Sequence, residues 1–117
     1  MTDQSHAQTQ TSTPTTTGVF ALLRAKPGAT RERVMAIMPA EIRATVQLYV
    51  DGKIREWYSR EDGTGGIFLL NIRDVAEAKS IMESLPLAKE NMLDHEYIPV
   101  GPLMPLRLLM GSPSTKP

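Results

Sequence analysis

The densest group of proton-exchanging side chains outside the polar amino-terminal segment is the run Asp94-His95-Glu96. The imidazole of His95 can titrate near neutral pH, as a proton shuttle requires. A carboxylate enclosed in an apolar cavity is suited to work as a general base, which makes Glu96 the second candidate. These residue types indicate acid/base chemistry, with His95 and Glu96 as candidate catalytic residues and Asp94 as a candidate substrate-binding residue.

A β-strand through this run would separate its members. Alternation along a strand puts Asp94 and Glu96 on one face and His95 with Tyr97 on the other, so only one pair can face a given cavity. Each candidate also has a purely structural interpretation. His95 could be a partly exposed strand residue bonded to a neighbour, Asp94 could hold a turn, and Glu96 could form an ion pair. The possible partners of Glu96 in such an ion pair are Arg24, Arg55 and Arg60.

A second group of candidates lies around the predicted second strand. Tyr58 and Arg60 are candidate catalytic donors, because a phenol can donate to an oxyanion and a guanidinium can hold a planar carboxylate through two hydrogen bonds. Trp57 could form the wall of a site for a flat ligand, and Tyr49 and Arg24 complete the candidate substrate-binding residues. In the structural alternative, the aromatic rings pack in the core or in an interface, and the arginines are solvated.

The composition argues against several other classes of function. The chain has no cysteine, and no cluster of its histidines and carboxylates has metal-ligand spacing, so we expect neither a metal nor a cofactor. The segment Gly63-x-Gly65-Gly66 lacks the following helix and Lys-Ser/Thr pair of a phosphate loop. Thirteen basic and thirteen acidic residues balance, and Phe68 is the one aromatic residue of the predicted third strand, so we expect no nucleic-acid partner.

Targeting signals are also missing from the sequence. No apolar run is long enough to cross a bilayer. The first five residues, Met1 to Ser5, lack the basic start and apolar stretch of a secretory signal. We therefore expect a cytoplasmic protein without a membrane partner.

The chain divides into three parts by composition. Residues 1–17 are mostly Thr, Gln and Ser and predict a disordered tail, because such a segment buries too little surface to offset its ordering entropy. Residues 18–100 carry the periodic apolar patterns of a folded domain. Residues 101–117 begin as a Leu- and Met-rich run interrupted by prolines, which predicts an apolar arm packed on the domain or on a partner subunit.

Six elements follow one another in the predicted domain. Apolar runs and alternation predict strands, and apolar residues at three- and four-residue spacing predict helices. The predicted elements are a strand at 19–25, a helix from 39 to 50, strands at 54–60 and 67–72, a helix from 75 to 85, and a strand at 94–99.

Local signals mark the ends of the two helices. Pro39 disfavours helix at the residue before it but suits a first turn, so we expect a short turn at 30–37 and the main helix only from Pro39. Gly52 is placed to end that helix in the left-handed conformation. Asp74, with Glu77 three residues later, predicts a capping box that opens the second helix.

The order β-α-β-β-α-β predicts an α+β, ferredoxin-like domain. Two right-handed crossovers around a β-hairpin give a four-stranded antiparallel sheet with two helices on one face. The third strand, nearly all apolar, is expected to be central. A second copy of the chain is the natural cover for the uncovered face, and two facing sheets would enclose a cavity.

The segment from Asp51-Gly52-Lys53 to Leu85-Pro86-Leu87 resembles the core of the muconolactone isomerase family. It has a Gly-Lys-x-Arg entry into strand two, an apolar strand three, an acid-capped helix and a Leu-Pro-Leu exit. Asp94-x-Glu96 with the trailing Pro99 is similar to the family's fourth strand. The resemblance covers roughly residues 51–103.

This resemblance implies a fold, an assembly and an activity. The family forms a dimeric α/β barrel and, in its best-known members, higher oligomers. Its activity moves a proton within an unsaturated lactone without a metal or organic cofactor, and Glu96 matches the family's acidic position. The resemblance thus implies a homo-oligomeric, cofactor-free isomerase for a small unsaturated lactone or cyclic organic acid held between two sheets. The alternatives are a cofactor-free cyclase or monooxygenase, and a non-catalytic module for small-ligand binding or oligomeric assembly.

Overall fold

The computed structural model describes residues 15–103. The predicted tail up to residue 14 and the predicted arm from residue 104 onward lie outside the described residues. Thr17 already belongs to the folded part, because its N–H donates to the carbonyl of Val100 at 2.8 Å.

Four strands form one antiparallel sheet with the order β2-β3-β1-β4. Their bounds are Gly18–Ala25 for β1, Ile54–Ser59 for β2, Gly66–Leu70 for β3 and Leu93–Val100 for β4. The expected central position of β3 is confirmed, since it pairs with β2 on one side and β1 on the other. The α+β class and the antiparallel sheet are as predicted, and the element order is compatible with a ferredoxin-like fold.

Three helices accompany the sheet: α1 at Arg31–Val50, α2 at Val75–Met82 and α3 at Pro86–Lys89. Between residues 15 and 103, no helix combines the length and the hydrophobicity that a membrane crossing needs.

Helix α1 runs without a break through Pro39, so the predicted start at that residue was wrong. The helix begins after Thr30, whose side-chain oxygen accepts from the N–H of Arg33 at 3.2 Å. Pro39 has no N–H, so the carbonyl of Met35 loses its helical partner. Both residues are exposed, so solvent can reach that carbonyl and the chain continues as a helix. The predicted end is confirmed, because Gly52 has φ +80° just after the cap residue Asp51.

Helix α2 is shorter than the predicted helix, and α3 was not predicted as a separate element. Asp74 caps α2 as expected, accepting from the N–H of Ala76 at 3.3 Å. Pro86 disfavours helix at the preceding Leu85, whose ψ of 155° is extended. The N–H of the first helical residue has no partner within its helix, so a proline can occupy that position. Pro86 therefore begins α3 instead of simply ending α2.

The core lies between the sheet and the helices, and strand alternation supplies it. Val19, Ala21 and Leu23 of β1 are buried, whereas Arg24 is exposed. The buried apolar residues are Val19, Ala21, Leu23, Ile54, Leu70, Ile72, Ala78, Met82, Leu85, Leu87, Met92 and Leu93.

The opposite side of the sheet, here called the open face, also carries apolar side chains. By register, Leu22 of β1 shares this side with Ile67 of β3, and Phe20 shares it with Leu69 and with Ile98 of β4. Ile98 is 42% exposed. This face therefore presents an apolar centre away from the core.

Candidate functional site

A cavity of about 580 Å³ lies between α1 and the side of the sheet that carries the core. We call it the α1 pocket. The apolar part of its wall consists of Leu23, Ala25, Val34, Met38, Ile42, Val46, Trp57, Phe68, Leu87 and Leu93. A volume of this size and an apolar wall with a few polar groups are typical of small-molecule sites.

Helix α1 supplies one wall through residues spaced four apart. Val34, Met38, Ile42 and Val46 form a stripe along one side of the helix. Ile42 remains 53% exposed and Val46 43% exposed. Since these side chains are not covered by the sheet, the stripe borders an accessible apolar space instead of closing a core.

The loop between β2 and β3 supplies the opposite wall and is held against the end of β1. The carbonyl of Thr64 accepts from the N–H of Ala25 at 2.7 Å, and Arg60 Nε donates to the carbonyl of Leu23 at 3.0 Å. A Cβ at Gly65 would overlap that same carbonyl, so the close approach of loop and strand requires glycine. Arg60, a predicted catalytic donor, thus holds the wall through its Nε.

Glu41 is the ionisable residue that the sequence reasoning missed. It is only 8% exposed and lines the α1 pocket. Burial raises the pKa of its carboxyl, an effect opposed by the hydrogen bond from the N–H of Leu87 to Oε1, which is 2.9 Å long. A carboxyl whose pKa is raised beside an apolar cavity is a candidate general acid or base.

A signal for Glu41 was present in the sequence. Glu41 is three residues after Met38 and one before Ile42, so a helix in this register carries an acidic residue along its apolar stripe. Such a position is costly for a charged group unless it has a partner.

Three predicted aromatic residues lie at the same pocket. Trp57 and Tyr58 line it, and Tyr49 stacks on Trp57 with ring centroids 4.3 Å apart and planes 12° from parallel. The hydroxyl of Tyr58 donates to Glu56 Oε1 at 2.8 Å, and this bond raises the pKa of Tyr58. Register places Trp57 opposite Phe68 and Tyr58 opposite Ile67 of the open face. The indole, supported by Tyr49, therefore borders the pocket, whereas the phenol of Tyr58 lies on the other side of the sheet.

The other predicted residues meet at a smaller depression of about 230 Å³, here called the polar depression. Its lining residues are Leu22, Arg24, Arg60, Asp94, His95 and Glu96. Register puts Arg24 opposite Asp94 on the open face. Arg24 Nη1 also lies 3.9 Å from Asp62 Oδ2, but both side chains are more than half exposed, so this ion pair contributes little.

The side chains of His95 and Glu96 lie on opposite faces of the sheet. His95 pairs with the buried Leu23, whereas Glu96 pairs with Leu22 of the open face. Burial lowers the pKa of His95, and among the described residues its buried Nε2 has no hydrogen-bond partner. Its ring lies parallel to that of Tyr97, with centroids 6.0 Å apart. Both residues line the polar depression, but the two predicted catalytic side chains are directed to opposite faces of the sheet.

Tyr97 connects this part of the core to the loop after α2. Its hydroxyl donates to Glu83 Oε2 at 3.0 Å, and burial together with this bond raises the pKa of Tyr97. Over residues 15–103, no group of three or more histidine or carboxylate side chains is placed to hold a metal ion.

Comparison with known proteins does not identify a family for this chain, so a proposal about its function is argued from the geometry of its sites. No protein-family model and no curated protein matches this sequence. The resemblance to muconolactone isomerase therefore stays a prediction from motifs. The two sites built by the fold are the apolar α1 pocket with Glu41 and the polar depression on the open face.

Proposed function

We propose that this protein binds a small, mainly apolar molecule in the α1 pocket and transfers a proton on it without a cofactor. The observation that carries the proposal is the buried carboxyl of Glu41 in the wall of a 580 Å³ apolar cavity. Perturbed carboxyls in concave apolar sites are characteristic of acid/base catalysts. The reaction class is that of the muconolactone isomerase resemblance, but the proton-transferring residue is Glu41 in place of His95 or Glu96.

The proposed reaction moves a proton from a carbon next to a carbonyl group to another carbon of the same molecule. Glu41 takes the proton, which leaves an enolate, and then returns it at the new position. The enolate oxygen needs a donor. The hydroxyls of Thr45 and Thr64 already donate to the carbonyl of Glu41 and to Asp62, so we assign this donation to Ser59, which also lines the pocket.

Exchange of substrate hydrogen with solvent tests this proposal. The protein is incubated in D₂O with unsaturated lactones and cyclic enones, and deuterium uptake next to the carbonyl is followed by NMR. We expect uptake to fall by about 10²–10⁴-fold in Glu41→Gln, which keeps the shape but cannot exchange a proton in this way. Glu77→Gln, at an exposed position of α2, is the matched control and should leave uptake unchanged. Equal uptake in wild type and Glu41→Gln contradicts the proposal.

A second candidate function, oligomeric assembly, is favoured by the open face. Its apolar centre, formed by Phe20, Leu22, Ile67, Leu69 and Ile98, is bordered at one end by the charged polar depression. A two-fold axis would place this patch against its own copy, since such an interface is self-complementary. Two sheets paired in this way form the dimeric α/β barrel expected from the resemblance, and the α1 pockets lie on the outer, helix-bearing sides.

A further inference from the structure

The charges around the α1 pocket differ from those around the polar depression. Among the described residues that line the pocket, Glu41 and Tyr58 are the ionisable groups, and the others are apolar residues, glycines, serine and threonines. The described arginines that line a cavity, Arg24 and Arg60, belong to the polar depression. The wall of the pocket therefore carries an acid without a basic side chain beside it.

A ligand with a free carboxylate would be poorly matched to this wall. Its charge would leave water for an apolar space and would lie near the carboxyl of Glu41, and both effects disfavour an anion. An arginine that could hold the anion through two hydrogen bonds is found instead at the polar depression. The pocket thus selects against the organic acids that the resemblance implies as substrates.

An uncharged carbonyl compound matches the same wall well. The bond from Leu87 engages Glu41 Oε1, so Oε2 is the oxygen left to take a proton from the ligand and return it. Trp57 and Phe68 offer apolar surface for a ring. We infer that the ligand of the α1 pocket is an uncharged lactone or cyclic ketone, and not a free organic acid. This inference rests on the proposed function of the pocket.

Matched probes on one scaffold separate this inference from its alternatives. The probes are a phenyl-substituted butenolide bearing a para-methyl group, and the same compound bearing a carboxylate or an aminomethyl group at that position. Trp57 is the single tryptophan of the chain and lines the pocket, so its fluorescence reports on occupancy. At neutral pH we expect the uncharged probe to bind about tenfold more tightly than the carboxylate probe, or better.

Two variants locate the origin of that selectivity. Glu41→Gln keeps the size of the side chain but removes the carboxylate, so it should retain the uncharged probe and reduce the discrimination against the carboxylate probe to about threefold or less. Arg24→Gln alters the polar depression and should leave the preference unchanged. Circular dichroism checks that both variants are folded.

The possible failures are distinguishable. The carboxylate or the aminomethyl probe could instead bind more tightly than the uncharged probe, change the Trp57 fluorescence and depend on Glu41. That result overturns the inference about ligand charge but keeps the α1 pocket as the binding site. Carboxylate binding that is lost in Arg24→Gln assigns the anion to the polar depression and also overturns the inference. If none of the three probes changes the fluorescence or binds by calorimetry, the proposed function itself fails.

Discussion

At the scale of single residues, Glu41 links two different environments. Its carboxyl accepts from the N–H of Leu87, 46 residues away, and also lines the α1 pocket. Leu87 is the second residue of α3, and Leu85, the cap residue, provides no side-chain bond to this helix. Glu41 therefore caps α3 from a distant part of the chain, and this contact offsets part of the cost of burying an acid.

The stability of the protein should depend on the ionisation of Glu41. Because burial raises its pKa above the ordinary value of 4.5, the folded state holds the proton more tightly than the unfolded state. The resulting stabilisation is fully present below pH 4.5 and is lost as the pH rises through the folded-state pKa. Urea unfolding of wild type and Glu41→Gln should show wild type losing stability relative to the variant over this range. If the unfolding free energies of wild type and Glu41→Gln change with pH in parallel, this role of Glu41 is wrong.

His95 should produce the opposite dependence at higher pH. Its pKa is lowered by burial, against opposing effects of Glu83 and Asp94, so the folded state binds its proton less readily than the unfolded state. Stability from the neutral ring is present above the ordinary pKa of 6.5 and is lost as the pH falls below it. His95→Phe keeps a ring next to Tyr97 but cannot titrate. The unfolding free energy of wild type should therefore fall relative to His95→Phe on acidification, and an unchanged difference would refute this.

At the scale of elements, the α1 pocket exists because helix α1 and the loop between β2 and β3 are held in place by different contacts. The helix is anchored by its Thr30 cap and by Glu41, whereas the hairpin loop is anchored to β1 through Arg60 and Thr64. Neither set of contacts closes the space between the two walls. The pocket volume therefore depends on how closely the loop lies against β1.

Gly65→Ala tests the position of the loop wall. Its added Cβ would overlap the carbonyl of Leu23, so the loop or the strand must shift. We expect a loss of stability of about 1–3 kcal/mol and weaker binding of pocket ligands. Gly28→Ala is the matched control, because a Cβ there meets nothing within 4 Å. Thermal unfolding and ligand titration of both variants measure the effect, and an equal response of the two would show that the close approach is unimportant.

At the scale of the whole molecule, the two sides of the sheet have different proposed partners. The helix-covered side holds the small-molecule pocket, and the open face presents apolar residues suited to a second copy of the chain. Because the helices lie on one side only, the apolar side chains of the open face are not covered by a second layer from residues 15–103. Catalysis and assembly can therefore be tested independently.

Assembly through the open face should respond to a charge at its centre. Leu69→Lys places an ammonium group where two sheets would meet. We therefore expect the Kd of the dimer to rise by at least about tenfold. Met35→Lys, at an exposed position of α1, is the control. Sedimentation of wild type and both variants at micromolar concentration measures the change. A wild type that is monomeric under these conditions, or a dimer unaffected by Leu69→Lys, would contradict the proposed interface.

The sequence by itself determined the order of the four strands and the two longer helices, the strand faces and the Asp74 cap of α2, because these depend on residues close together in the chain. Period-two alternation placed His95 and Glu96 on opposite faces before any tertiary contact was known, and Gly52 marked the end of α1. Tertiary structure decided that α1 continues through Pro39 and that α3 forms. It also brought Glu41 to Leu87, and α1 and the hairpin loop to the same cavity. These outcomes depend on packing between distant segments, and such contacts override local preferences without leaving a local pattern to read.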